Sequence, residues 1–164
     1  MCRITKNICL GFACLLAIVA SGCVETSMMF QGNLVEPVRV VALQEGGPHS
    51  GSWKTFDLVI DYKYFRNDNI LEISGQINMS EHYQMNYNSL SKLFVYLFLI
   101  DSRSRVLSSD SLVKAVTGDL DENLTFSRSY NVPAGTVGIS FGYNGSVREF
   151  REINDFYQLP LRHE

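Results

Sequence analysis

Beyond residue 23 the sequence has no cysteine, since Cys2, Cys9, Cys14 and Cys23 are all it holds. A disulfide framework spreads its cysteines through the fold, so none is expected here. Histidine is scarce as well. Metal centres and acid–base dyads draw on it first, and His49, His82 and His163 fall in separate loops or the tail. Basic charge is not in excess, and a net charge of −3 gives no electrostatic footprint for nucleic acid. The Gly-rich phosphate loop, the CxxC pair, HExxH and GxSxG are all missing. Long apolar runs are nearly missing, with Ile8 to Ala20 and Leu93 to Ile100 as the exceptions.

What is present is enough for a packed domain. The chain has 164 residues, 46% of them apolar and 19% charged. That length suits one domain with or without a targeting segment, and a domain near this size buries roughly 70% of its unfolded surface. The first residues read as a targeting segment. Arg3 and Lys6 form a positive start, no acid precedes Glu25, and the uncharged run Ile8 to Ala20 is short for a permanent membrane span.

Small residues close that run, and Val19-Ala20-Ser21-Gly22-Cys23 resembles the lipobox of bacterial lipoproteins. It departs from the commonest form only in having Ala20 where leucine is usual. The resemblance implies a signal peptide over residues 1–22, cleavage before Cys23, and acylation of the Cys23 thiol and amino terminus. Residues 23–34 then form a lipidated tether, with Met28-Met29-Phe30 as its apolar knot, and residues 35–164 form the domain. Acyl chains anchor by about 0.8 kcal/mol per buried methylene, so two or three hold a protein on a membrane almost permanently. Val24 is not aspartate, which by the same resemblance favours the outer membrane of a two-membrane cell. The alternative is an ordinary secretory signal cut at a nearby small residue, leaving Cys23 a free thiol.

The domain reads as all-β. Val35 to Leu43 is a first strand with Pro37 near its start, and Gln44 to Ser52, with Gly46-Gly47-Pro48 and Gly51, is a loop. In Trp53 to Phe65, Phe56, Leu58, Ile60, Tyr62 and Tyr64 alternate with more polar residues, a period of two. Asn67-Asp68-Asn69 turns the chain into Leu71 to Met79. Leu93 to Ile100 is apolar throughout and reads as a central strand covered on both faces. Further strands follow over Val106 to Val113, Leu124 to Tyr130 and Val137 to Tyr143, with a turn at Val132 to Gly135. Asn144-Gly145 predicts a hairpin turn, with Ser146 to Ile153 returning. The sum is an antiparallel Ig-like β-sandwich of seven or eight strands.

Within this pattern, Leu71 to Tyr143 resembles bacterial FxLYD-type and related Ig-like extracytoplasmic domains. The shared features are a strand with a glycine, the run ending in Leu99-Ile100-Asp101, Val106-Leu107 after a turn, and Pro133-Ala134-Gly135 joining a later pair. Arg103-Ser104-Arg105 stands where those domains usually carry a glycine.

Few residues suggest chemistry. Asp119, Asp121 and Asn123 match the first alternating ligands of an EF-hand, but Leu124 and Tyr130 occupy the positions that need glycine and glutamate. No metal or cofactor is expected. Asp57 and Asp61 on one strand lie about 13 Å apart, too far for paired glycosidase carboxylates. The connection from Ser80 to Lys92 stands out, because long connections are often functional or hold a short helix. Its Tyr83, Met85 and Tyr87 are candidate binding residues; aromatic rings give rigid contact area. The other reading of these rings is as covers for the core edge. The expected function is a membrane-anchored envelope lipoprotein serving as a non-enzymatic binding, assembly or structural module. Its expected partners are the membrane, through the acyl chains, and other envelope proteins. The alternatives are an envelope enzyme or accessory acting on glycan or peptide, and a ligand or metal sensor.

If Cys23 carries the anchor, wild-type protein incorporates labelled fatty acid and Cys23→Ala is released from the membrane fraction. Wild type that stays unacylated and water-soluble would refute the lipobox assignment.

Overall fold

The computed structural model describes residues 29–114 and 117–162. The chain forms β1 (Val41–Ala42), β2 (Gly46–Lys54), β3 (Leu58–Asn67), β4 (Ile70–Met79), α1 (Glu81–Asn86), β5 (Ser89–Asp101), β6 (Val106–Lys114), β7 (Leu124–Asn131), β8 (Thr136–Glu149) and β9 (Glu152–Gln158). The strands pair antiparallel into two sheets. Sheet one has the order β1-β8-β5-β6, with β9 on the same edge of β8 as β1; sheet two has the order β2-β3-β4-β7. The fold is the expected β-sandwich.

β5 is its centre, paired with β8 on one side and β6 on the other. A strand apolar at successive positions sends apolar side chains to both faces of its sheet. Leu93, Val95, Leu97 and Leu99 point inward to the main core with Leu58, Ile60, Ile73, Phe141 and Tyr143. Tyr96, Phe98 and Ile100 point outward and form a second cluster with Phe30, Val35 and Val106.

That outer cluster is roofed by the first and last segments of the described residues. Phe30 meets Tyr96 and Phe98 edge-on at centroid distances of 5.5 and 5.3 Å. Backbone bonds hold the roof down: Gly32 N–H to the Val106 carbonyl, Val35 N–H to that of Ser104, and Arg162 N–H to that of Leu34, each at 2.8 Å. Leu159 and Leu161 pack beside it. From Phe30 onward, therefore, the segment expected as a tether is part of the domain, and fully burying such a ring contributes about 1.5–3 kcal/mol.

Several expected boundaries are corrected. Val35 to Leu43 is not one strand: Pro37–Arg39 forms a 3-10 turn, Val35 makes a single bridge to Leu161, and Val41 and Ala42 alone form a strand. The expected loop from Gln44 to Ser52 is mostly β2, an edge strand whose pairing with β3 is irregular between Gly46 and His49, where Pro48 sits. Gly51 faces Tyr62, whose hydroxyl fills the space a Cβ would take. The expected strand from Trp53 to Phe65 is broken by a turn at Thr55 to Asp57, so Trp53 belongs to β2. Asn144-Gly145 is no turn; β8 runs straight through it and reverses at Phe150 and Arg151. Gly145 is in the strand because the Phe156 ring of β9 lies over it, 2.5 Å from where a Cβ would stand.

Gly145→Ala is accordingly expected to lower stability by about 1–3 kcal/mol through overpacking. Leu97→Asp, which buries an unpaired charge, should abolish cooperative folding. Urea titration followed by circular dichroism measures both, and a Gly145→Ala variant as stable as wild type would contradict this packing of Phe156.

Candidate binding surface at one pole of the sandwich

One pole of the sandwich collects the β2–β3 turn, α1, the β8–β9 tip and the segment before β7. The turn is closed by Thr55, whose hydroxyl accepts from Leu58 N–H at 3.1 Å and lies 2.9 Å from the Leu58 carbonyl. Its next residues diverge. Phe56 points to solvent, and the Asp57 carboxylate turns back over the core.

Asp57 is a clamp. One oxygen accepts the Tyr83 hydroxyl at 3.0 Å, the other the Tyr143 hydroxyl at 2.5 Å. Thr55 and Gln158 stand 3.0 and 3.4 Å from the same Tyr143 oxygen. A hydrogen bond to a charged acceptor contributes about 1.5–3 kcal/mol, so this carboxylate ties α1, β8 and the β2–β3 turn together. Burial, reinforced by the Asp57 hydrogen bond and charge, holds both phenols well above the ordinary tyrosine range. At neutral pH they remain protonated donors, with both Asp57 oxygens occupied. The arrangement fastens the pole.

Around this clamp the three candidate residues separate. Tyr83 is buried, stacked on Tyr87 at 5.3 Å and tilted against Phe156 at 5.1 Å. Tyr87, the other ring of that stack, is half-buried. Met85 is 79% exposed. Helical geometry explains the split: Tyr83 and its neighbour four residues on share one side of the turn, and Met85 falls on the other.

Two further residues join Met85 at the surface. Phe56 is 71% exposed, its ring 5.2 Å from His82 on α1. Phe150 is 85% exposed at the β8–β9 tip, with its N–H bonded to the Asn88 side chain at 3.0 Å. Sequence reasoning missed both, placing Phe56 on an inward strand face and Phe150 inside a strand. Phe150 also has φ of 51°, a left-handed conformation that bulky residues seldom adopt.

The remaining candidates stay apart. His49 lies on Tyr64, far along β2 from His82 on α1. Asp119, Asp121 and Asn123 are exposed around buried Leu120. Among the described residues no three His, Cys, Asp or Glu side chains gather as metal ligands. Cys23 and His163 lie outside the described residues. The outer face of sheet two holds a shallow groove of about 640 Å³ lined by Ser50, Lys63, Ser74, Gln76 and Thr125. No known protein family, curated protein or solved structure matches the chain.

The clamp sets a pH dependence. A tyrosine whose folded value is raised stabilises the fold below its unfolded value, near 10, and loses that contribution as pH climbs toward the folded value. The melting temperature is therefore expected to hold up to about pH 9.5 and fall above it. Tyr143→Phe should lower stability by about 1.5–3 kcal/mol at neutral pH and make the alkaline fall shallower. Thermal melts from neutral to alkaline pH measure this, and an unchanged alkaline slope would show that Tyr143 does not titrate with folding.

Proposed function

We propose that the protein is an acylated envelope lipoprotein, anchored at Cys23 in the outer membrane, whose sandwich is a non-catalytic binding module. One observation carries the binding reading: Phe56, Met85 and Phe150, each more than two-thirds exposed, converge on one pole from the β2–β3 turn, α1 and the β8–β9 tip. Apolar side chains scattered singly over a surface are ordinary, but a cluster on turn tips marks an interaction site. Turn tips tolerate polar residues at no loss of packing, so stability gives no reason for apolar ones there. The strained backbone at Phe150 supports the same reading, because such conformations gather at functional sites.

The surroundings support one kind of partner. Glu81, Asp119, Asp121, Glu122, Glu149 and Glu152 are exposed at this end and outnumber Lys54, Lys114, Arg148 and Arg151. An apolar centre in an acidic rim fits another envelope protein with an apolar pocket edged by basic side chains. The clamp beneath supports the role by tying the β2–β3 turn, α1 and β8 together, which lowers the ordering penalty on binding.

The test is in-cell crosslinking from a photoreactive residue placed at position 149. Capture of a discrete partner should fall at least about tenfold in the Phe56→Ser, Met85→Ser, Phe150→Ser variant, as expected for central interface residues. Its melting temperature should stay within a few degrees of wild type, because exposed positions carry little stability. Undiminished capture by the triple variant would refute this binding surface.

A further inference from the structure

The N-terminal roof constrains how an anchored domain sits. Phe30 is fixed against Tyr96 and Phe98 on the outer face of sheet one. The chain from Cys23 to Phe30 spans at most about 25 Å when fully extended. Sheets of a sandwich lie about 10 Å apart, and the Phe30 layer adds a comparable depth outside sheet one. The straight path from Phe30 through the body to the far face of sheet two already consumes most of that reach, and the path around an edge exceeds it.

The two outer faces differ in the matching sense. On sheet one, Phe156 points into the core, so Ile153, Asp155 and Tyr157 of β9 point outward. Tyr157 is 76% exposed, Met29 beside the pinned Phe30 is 69% exposed, and Ile153 is 58% exposed. Tyr157 stands opposite Asn144, whose side chain donates to the Tyr96 hydroxyl at 3.1 Å, and Tyr96 in turn touches Phe30. The apolar side chains thus form one surface with the roof. The charge between Ile153 and Tyr157 is matched, Lys92 lying 3.8 Å from Asp155. Sheet two presents Ser50, Lys63, Ser74, Gln76 and Ser127 instead, with Phe65 at the far end.

We propose that the outer face of sheet one, through Met29, Ile153 and Tyr157, lies against the lipid bilayer, leaving the polar face of sheet two turned away from it. This rests on the anchor at Cys23 in the preceding reading. Tyrosine and long apolar side chains settle about 5–10 Å deep at the headgroup boundary, where Arg148, exposed opposite Ile153, meets the lipid phosphates.

The test uses the full acylated protein in phosphatidylethanolamine–phosphatidylglycerol vesicles containing doxyl-labelled lipid. Ile153→Cys, Tyr157→Cys, Lys63→Cys and Ser127→Cys variants each carry one environment-sensitive fluorophore. Quenching at positions 153 and 157 should exceed that at 63 and 127 by about fivefold or more. Protein that floats with the vesicles but is quenched equally on both faces, or more on sheet two, overturns the orientation alone. Protein that carries no acyl chain by mass and does not float overturns the anchor, and the orientation with it.

Discussion

The constraint on which everything else depends is that β5 must be hidden on both faces. Most sandwich strands hide one face and wet the other, so two sheets suffice for a core. β5 carries large apolar side chains outward at Tyr96, Phe98 and Ile100, and a second sheet can cover only the inner set. The outer set requires a roof, and the segments around Phe30 to Val35 and Leu159 to Arg162 supply it. A segment that elsewhere would be a free linker is thereby packed into the domain, which in the proposed anchoring would bring the domain close to the membrane.

The central strand was legible because an unbroken apolar run of that length, flanked by turn residues, fits little besides a strand covered on both faces. Strands β3, β4 and β7 were legible because a period of two survives end to end. The errors share a physical origin: local turn chemistry was overruled by packing. Asn144-Gly145 is a strong hairpin signal in isolation, yet the Phe156 ring needs the space above Gly145 and the β8–β5 pairing carries β8 through. Gly46-Gly47-Pro48 and Gly51 read as a loop, yet an edge strand tolerates proline, and Gly51 admits Tyr62. Alternation from Phe56 to Tyr64 hid the turn at Thr55 to Asp57, because Phe56 extends the apolar period by one step while lying outside the strand. A chain that leaves a strand without changing its hydrophobic rhythm gives no local warning.

The candidate site was half legible for a related reason. The Ser80 to Lys92 connection stands out by length, although its last four residues belong to β5, and the sequence groups Tyr83 and Tyr87 with Met85 where a single helical turn puts Met85 on the side away from both rings. What the sequence lacked was the partner across space. Only the fold brings Asp57 beneath Tyr83 and Tyr143, and that carboxylate decides which side of α1 faces inward. Phe56 and Phe150 escaped notice because their exposure depends on turns that pattern alone misplaced.

The strand β9 links the proposed membrane face to the proposed binding pole. Its outward side carries Ile153 and Tyr157, and the tip that leads into it carries Phe150. In the proposed orientation β9 rests along the bilayer, so the pole points sideways, parallel to the membrane plane, and Phe150 sits at little height above the headgroups. A partner meeting that pole must itself lie close to the membrane surface, and a short tether favours the encounter by holding both at nearly one height. Confinement of this kind raises effective concentration without any added contact. The modest apolar area of Phe56, Met85 and Phe150, small for a stable complex in free solution, is then in proportion to an association between neighbours on one membrane.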